Sequence, residues 1–107
     1  MAKTKEGDVQ QYGMKRLKDK GCLVRKFHYE GRRAAPDTIN FIPTPLMLYR
    51  GFPLTRILFI EYKADENIQP EPHQLREHDR IRAAGGDVRV IGSRQQVDDL
   101  IKELFPE

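Results

Sequence analysis

Apolar and polar positions alternate along this chain with two different periods, and the switches between them outline the elements. Residues 5–20 predict a helix, with Val9, Tyr12, Met14 and Leu17 forming an imperfect apolar stripe. Gly21 follows Lys18 and Lys20, where a left-handed helix end would fall. Residues 22–30 then read as extended: Cys22, Val24 and Lys26 alternate with Leu23, Arg25 and Phe27. Pro36 blocks helix and opens a second strand from Asp37 to Ile42, which Pro43 and Pro45 end. Residues 46–53 form a connector with room for a short strand, closed by Gly51 and Pro53. Residues 54–63 carry the strongest strand signal. Ile57, Leu58, Phe59 and Ile60 are apolar at both parities, which predicts a central strand covered on both faces. Pro72 suits the first turn of a helix running to about Ala84 and stopped by Gly85-Gly86. Val88 to Ile91 is a short strand. Ser93 and Gln96 form a capping box for a last helix striped by Val97, Leu100, Ile101 and Leu104.

The resulting order is α-β-β-β-α-β-α, an α/β arrangement in which helices flank a mixed sheet. At 107 residues, with no internal repeat or low-complexity tract, residues 1–107 are expected to form a single domain. Charged residues are 33% and hydrophobic ones 38% of the chain, a soluble globular composition with no membrane-spanning run. One cysteine, Cys22, leaves no internal disulfide and no multi-cysteine zinc site, so a reducing, cytoplasmic setting is expected. Cys22 itself reads as a small core residue, since no base is indicated beside it.

The net charge of +3 conceals an asymmetry: residues 1–33 hold ten Lys/Arg against four Asp/Glu, the remainder nine against twelve. A basic lobe beside carboxylates suits an enzyme of nucleic acids, in which cations hold phosphates and acids hold metal. Taken alone, the charge reads first as an ordinary solvated helix face. Arg25, Lys26, Arg32 and Arg33 lie just upstream of Asp37 and are the candidate phosphate contacts, with Lys3 and Lys5 a possible extension. His28, His73 and His78 have no regular ligand spacing; His78 shares a helix face with Gln74 but reads first as a packed histidine.

Strand geometry gives the chemistry. Glu61 and Lys63, two apart, share a face, while Tyr62 points into packing. If the Asp37 strand pairs antiparallel with this one, Asp37 near its start meets Glu61 near the other's end. Two carboxylates then converge on a site for magnesium or manganese, which prefer oxygen donors. A divalent ion is needed there, because two acids alone would repel a phosphodiester. Lys63 could orient or help deprotonate a water, or stabilise developing charge. A solvated Glu-Lys pair at a strand end is the plainer alternative.

Pro36-Asp37 followed by Glu61-Tyr62-Lys63 resembles the PD-(D/E)xK nuclease motif. Gly31-Arg32-Arg33-Ala34-Ala35-Pro36-Asp37, Phe59-Ile60-Glu61-Tyr62-Lys63 and Gln74 before a helix ending in Ala84-Gly85-Gly86 are together similar to the virus-type replication-repair nuclease (VRR-NUC) family. Glu6, Val9, Tyr12 and Gly21 are similar to that family's opening helix. The resemblance implies a restriction-endonuclease-like fold and Mg2+- or Mn2+-dependent hydrolysis of DNA. It implies Asp37 and Glu61 as metal ligands, Lys63 as the catalytic lysine, Glu6 as a helix carboxylate near the metal and Gln74 as the residue orienting the site. The Tyr62 carbonyl becomes an additional candidate ligand. Stand-alone short members resemble Holliday-junction resolvases, which implies a homodimer acting on branched DNA in a bacterial or phage-infected cell, in a repair role. Leu46, Met47, Leu48 and Phe52 in the long Pro43–Arg56 stretch are candidate dimer residues, or simply an extended hairpin. The same chemistry on flaps, forks or nicked duplex remains open, as does an inactive DNA-binding module, although Asp37, Glu61 and Lys63 are all intact.

Overall fold

The computed structural model describes residues 5–30, 34–43, 48–53 and 55–106. Three helices surround a four-stranded mixed sheet: α1 (Lys5–Asp19), β1 (Leu23–Lys26), β2 (Thr38–Ile42), β3 (Leu48–Tyr49), β4 (Phe52–Pro53), β5 (Arg56–Tyr62), α2 (Pro72–Ala83), β6 (Asp87–Ile91) and α3 (Arg94–Leu104). The sheet order is β1-β2-β5-β6. The first three strands pair antiparallel, and β6 joins β5 in parallel, with α2 as the connection that a parallel pair requires. This is the predicted α/β architecture.

Between β2 and β5 the connector is more regular than expected. Its strands β3 and β4 form a separate two-stranded sheet, with Tyr49 opposite Phe52. The two intervening residues, Arg50 and Gly51, both have positive φ (51° and 83°), as a tight turn matched to strand twist demands. Glycine adopts that conformation freely; Arg50 does so at some cost.

Alternation along each strand sends one set of side chains toward α1 and α3. Leu58, Ile60 and Tyr62 of β5 are fully buried there with Val24, Ile42 and Ile91, against Val9 and Leu17 of α1 and Val97, Leu100 and Ile101 of α3. Each such aliphatic side chain contributes roughly 1.5–3 kcal/mol by leaving water. Tyr12 Oη donates to Asp98 at 2.6 Å and Arg94 pairs with Asp8 at 2.8 Å, joining the two helices at their rim. The α1 stripe looks imperfect in the sequence because its buried line is Val9, Gly13 and Leu17. At its centre the missing side chain admits Tyr62: a Cβ on Gly13 would stand 2.5 Å from Tyr62 Oη.

The opposite face of β5 corrects one expectation. Phe59 is only half-buried and Ile57 is 42% exposed, so the central strand is not covered on both sides. Helix α2 covers only the end of this face that carries Glu61 and Lys63. It is held there by Lys63 Nζ donating to Gln74 (3.0 Å), Tyr29 Oη donating to Glu77 (2.7 Å) and Arg82 donating to the Val88 carbonyl (2.8 Å). Phe27 bridges Tyr29 and Phe59 with ring centroids 5.3 and 5.6 Å away. An apolar run reads alike whether its second face is covered or open.

Candidate active site

The register of β2 and β5 builds the site. Thr38 lies opposite Ile60, so Asp37, one residue before β2, falls beside the Glu61–Tyr62 end of β5. Asp37 Oδ2 accepts the Tyr62 backbone N–H at 2.6 Å, and the Phe27 N–H donates to the Asp37 carbonyl at 2.9 Å. The aspartate is thereby fixed at both ends by backbone. Its carboxylate is also close enough to Glu61 to act on that carboxyl through its charge.

Glu61 is 3% exposed, and its Oε1 has no hydrogen-bond partner. Burial pushes its carboxyl up to about 8; Asp37 adds to the push, Lys63 opposes it, and Glu6 contributes a smaller rise. A carboxyl with that affinity for protons has an equal reason to accept another cation. The Lys63 N–H donates to the Ile91 carbonyl at 2.8 Å, continuing the β5–β6 pairing by one bond and fixing the lysine backbone. Its ammonium then donates to Gln74 Oε1 at 3.0 Å. The same oxygen accepts the Glu71 N–H at 2.8 Å, so Gln74 closes the start of α2 and holds Lys63 in one contact set.

Asp37, Glu61, Lys63 and Gln74 therefore converge as the sequence leads one to expect. Glu6, in the first turn of α1, acts on Glu61 through its charge, yet no three His, Cys, Asp or Glu side chains gather into a metal-sized cluster among the described residues. Among the described residues, Asp37 and Glu61 are the pair of side chains placed so that they could hold a cation. Two carboxylates suit magnesium or manganese, which keep several waters and take further oxygens from phosphate. Tyr62 points away from Glu61, into the core, and burial followed by Asp37 pushes its phenol upward.

The candidate phosphate contacts divide. Arg25 lies opposite Ile39, on the sheet face of Asp37 and Glu61, whereas Lys26 lies opposite Thr38, on the α1 face. Lys26 there borders a groove with Lys15 and Lys18. Arg32 and Arg33 lie outside the described residues, as do Lys3, Leu46 and Met47. Phe52, on β4, is 72% exposed.

The sequence reads His78 first as a packed histidine, and its burial bears that out. His78, one helical turn beyond Gln74, is fully buried with Nε2 3.5 Å from Glu61 Oε1. Burial, Arg82 and Lys63 depress its pKa, which favours a neutral ring. The available signal was its shared helix face with Gln74. Cys22 is buried, and burial alone pushes its thiol up, as a packed rather than reactive cysteine requires.

No protein-family model matches the chain. It is 31% identical over 90 residues, 84% of this chain and 85% of the relative, to "Putative nuclease p44" of Acyrthosiphon pisum secondary endosymbiont phage 1. A solved structure described as "VRR_NUC domain" superposes with a TM-score of 0.79 at 48% identity, covering 96% of this chain and 100% of that one.

Proposed function

The chain belongs to the VRR-NUC family of nucleases, and from that premise we propose that it is a metal-dependent endonuclease hydrolysing phosphodiester bonds in branched DNA such as Holliday junctions. The observation that carries the metal reading is the convergence of Asp37 with buried Glu61, whose carboxyl is pushed up to about 8 while its Oε1 lacks a partner. Asp37 and Glu61 would hold Mg2+ or Mn2+, with the Tyr62 carbonyl as a further donor and Glu6 as an outlying carboxylate. The ion, when bound, supplies charge neutralisation at the scissile phosphate and a more acidic water.

The protein's own groups do the rest. Asp37, tied to the Tyr62 N–H, keeps the pair of acids at a fixed separation. Lys63, tethered by Gln74, presents an ammonium on the same face, where it orients the attacking water or stabilises charge on the phosphate. Arg25 on that face, with Arg32 and Arg33 just upstream of Asp37 in the sequence, would contact backbone phosphates, so that shape rather than base sequence is read. Two-fold cutting of a four-way junction calls for a homodimer. Exposed Phe52, and the row formed by Leu23, Phe41 and Ile57 across three strands, supply apolar surface for one. We place this work in the cytoplasm of a bacterial or phage-infected cell, in DNA repair or replication; no described helix is long and apolar enough to cross a membrane.

The test is a cleavage panel of linear, nicked, flap, fork and four-way DNA in Mn2+, with Asp37→Ala as control. Four-way DNA should be cut fastest, in symmetric pairs, by a particle of twice the chain mass. Preference for flaps or forks would replace the junction reading with the same chemistry on another branch. Equal cleavage by Asp37→Ala would remove the proposed centre, and no cleavage of any substrate would leave a DNA-binding module.

A further inference from the structure

His78 and Glu61 place three unpartnered polar atoms together in the interior: Glu61 Oε1 and both imidazole nitrogens. Their side chains are 3% and 1% exposed, and Nε2 stands 3.5 Å from Oε1. Packing alone does not account for a histidine here, since an apolar side chain would fill the space without burying unpaired nitrogens. The separation is about half an ångström beyond an ordinary N–H···O bond, a gap that a small tilt of the ring closes.

The fold also explains why this helix position meets that strand position. Residues four apart on a helix are separated by about 6.0 Å, and residues two apart on a strand by about 6.6 Å. Helix α2 therefore presents Gln74 and His78 to Lys63 and Glu61 as two matched pairs, and the first is already bonded at 3.0 Å.

We propose that His78 is the positioning residue for Glu61, its Nε2–H bonding Oε1 so that the carboxylate is held in one rotamer for the divalent ion. The inference rests on the metal-dependent reading above. A metal-binding carboxylate that is itself hydrogen-bonded loses less freedom on taking up the ion, and removing such a partner weakens metal affinity by about 10–100-fold. His78 touches neither ion nor DNA in this role; it acts through Glu61.

The experiment measures Mn2+ affinity of the DNA-free protein by calorimetry or electron paramagnetic resonance, for wild type, His78→Leu and His78→Gln. Metal-free thermal midpoints and cleavage rate against Mn2+ concentration accompany it. His78→Leu should weaken Mn2+ binding by about 10-fold or more without lowering the metal-free midpoint, and excess Mn2+ should restore much of its rate. His78→Gln, which keeps an N–H donor, should recover most of the affinity. A folded His78→Leu protein binding Mn2+ within about twofold of wild type overturns the inference, as does His78→Gln no better than His78→Leu. Should both variants unfold, nitrogen-15 spectra of the wild-type imidazoles decide: Mg2+ should move the His78 Nε2–H downfield and slow its exchange, and an unmoved signal at saturating Mg2+ overturns the proposal. Wild-type protein that takes up no Mn2+ or Mg2+ brings down the metal-dependent reading itself, and the two failures are thus distinguishable.

Discussion

Asp37 accepts the backbone N–H of Tyr62 at 2.6 Å, so the acid proposed to bind metal also fastens the strand that carries its partner acid. Structure and chemistry can be separated at this residue. Asp37→Asn retains an acceptor oxygen and should keep most of the thermal stability while losing Mn2+ binding and cleavage. Asp37→Ala should lose both, with a stability cost of about 1.5–3 kcal/mol for a hydrogen bond to a charged group. Thermal melts beside cleavage assays check this; equal melting of the two variants would disprove the fastening role.

Gln74 offers a second division of labour. Gln74→Ala releases Lys63 and leaves the Glu71 N–H without its acceptor. Cleavage should fall by about 10–100-fold, as for loss of a partner that orients a reacting group. The start of α2 should fray at a cost of about 0.5–2 kcal/mol. Gln74→Glu keeps the accepting oxygen and should restore both. Rates at saturating Mn2+ and hydrogen exchange at residues 71–75 measure the two effects.

Glu61 makes the metal-free protein sensitive to alkali. Its carboxyl rises from 4.5 to about 8 on folding, through burial and then Asp37. The folded state therefore binds the proton more tightly than the unfolded one. Stability from this source is fully present below about pH 4.5, declines as pH rises, and is lost beyond about 8. Melting without metal should fall across that window, Glu61→Gln should flatten the fall, and saturating Mn2+ should raise the midpoint most at the alkaline end. A flat wild-type profile would contradict the raised value.

Arg25 and Lys26 are neighbours in sequence on opposite sides of the sheet. Arg25→Ala should weaken binding to every DNA structure and lower the salt slope by about 0.9, one phosphate contact's worth, while Lys26→Ala should do so much less. Salt titrations of binding in Ca2+ test the distinction, and equal effects would mean that DNA wraps around the β1 edge.

Much of the architecture can be read from periodicity. Val97, Leu100 and Ile101 recur at helical spacing and are buried, and Glu61 and Lys63 share a face because strands alternate. Ser93 caps α3 by accepting the Gln96 N–H at 3.1 Å; the Gln96 side chain reaches Gly92 instead of closing the box on Ser93. Other features depend on partners distant in the chain. Ile57 and Phe59 carry no mark of how far α2 extends, and His78 gains meaning only when α2 lies over β5. The separation of Arg25 from Lys26 was available from alternation, but their adjacency in a basic stretch suggests a single patch.

The bare backbone at Gly13 has an outcome for the strand that carries the candidate site. The Tyr62 ring rests on it with no spare volume, and Tyr62 joins Glu61 to Lys63. A methyl group there must displace either the helix or the ring, which is fully buried and carried by the strand that holds the acid and the amine. The tolerance of the centre is thus set from behind, by one missing carbon on the far side of the sheet.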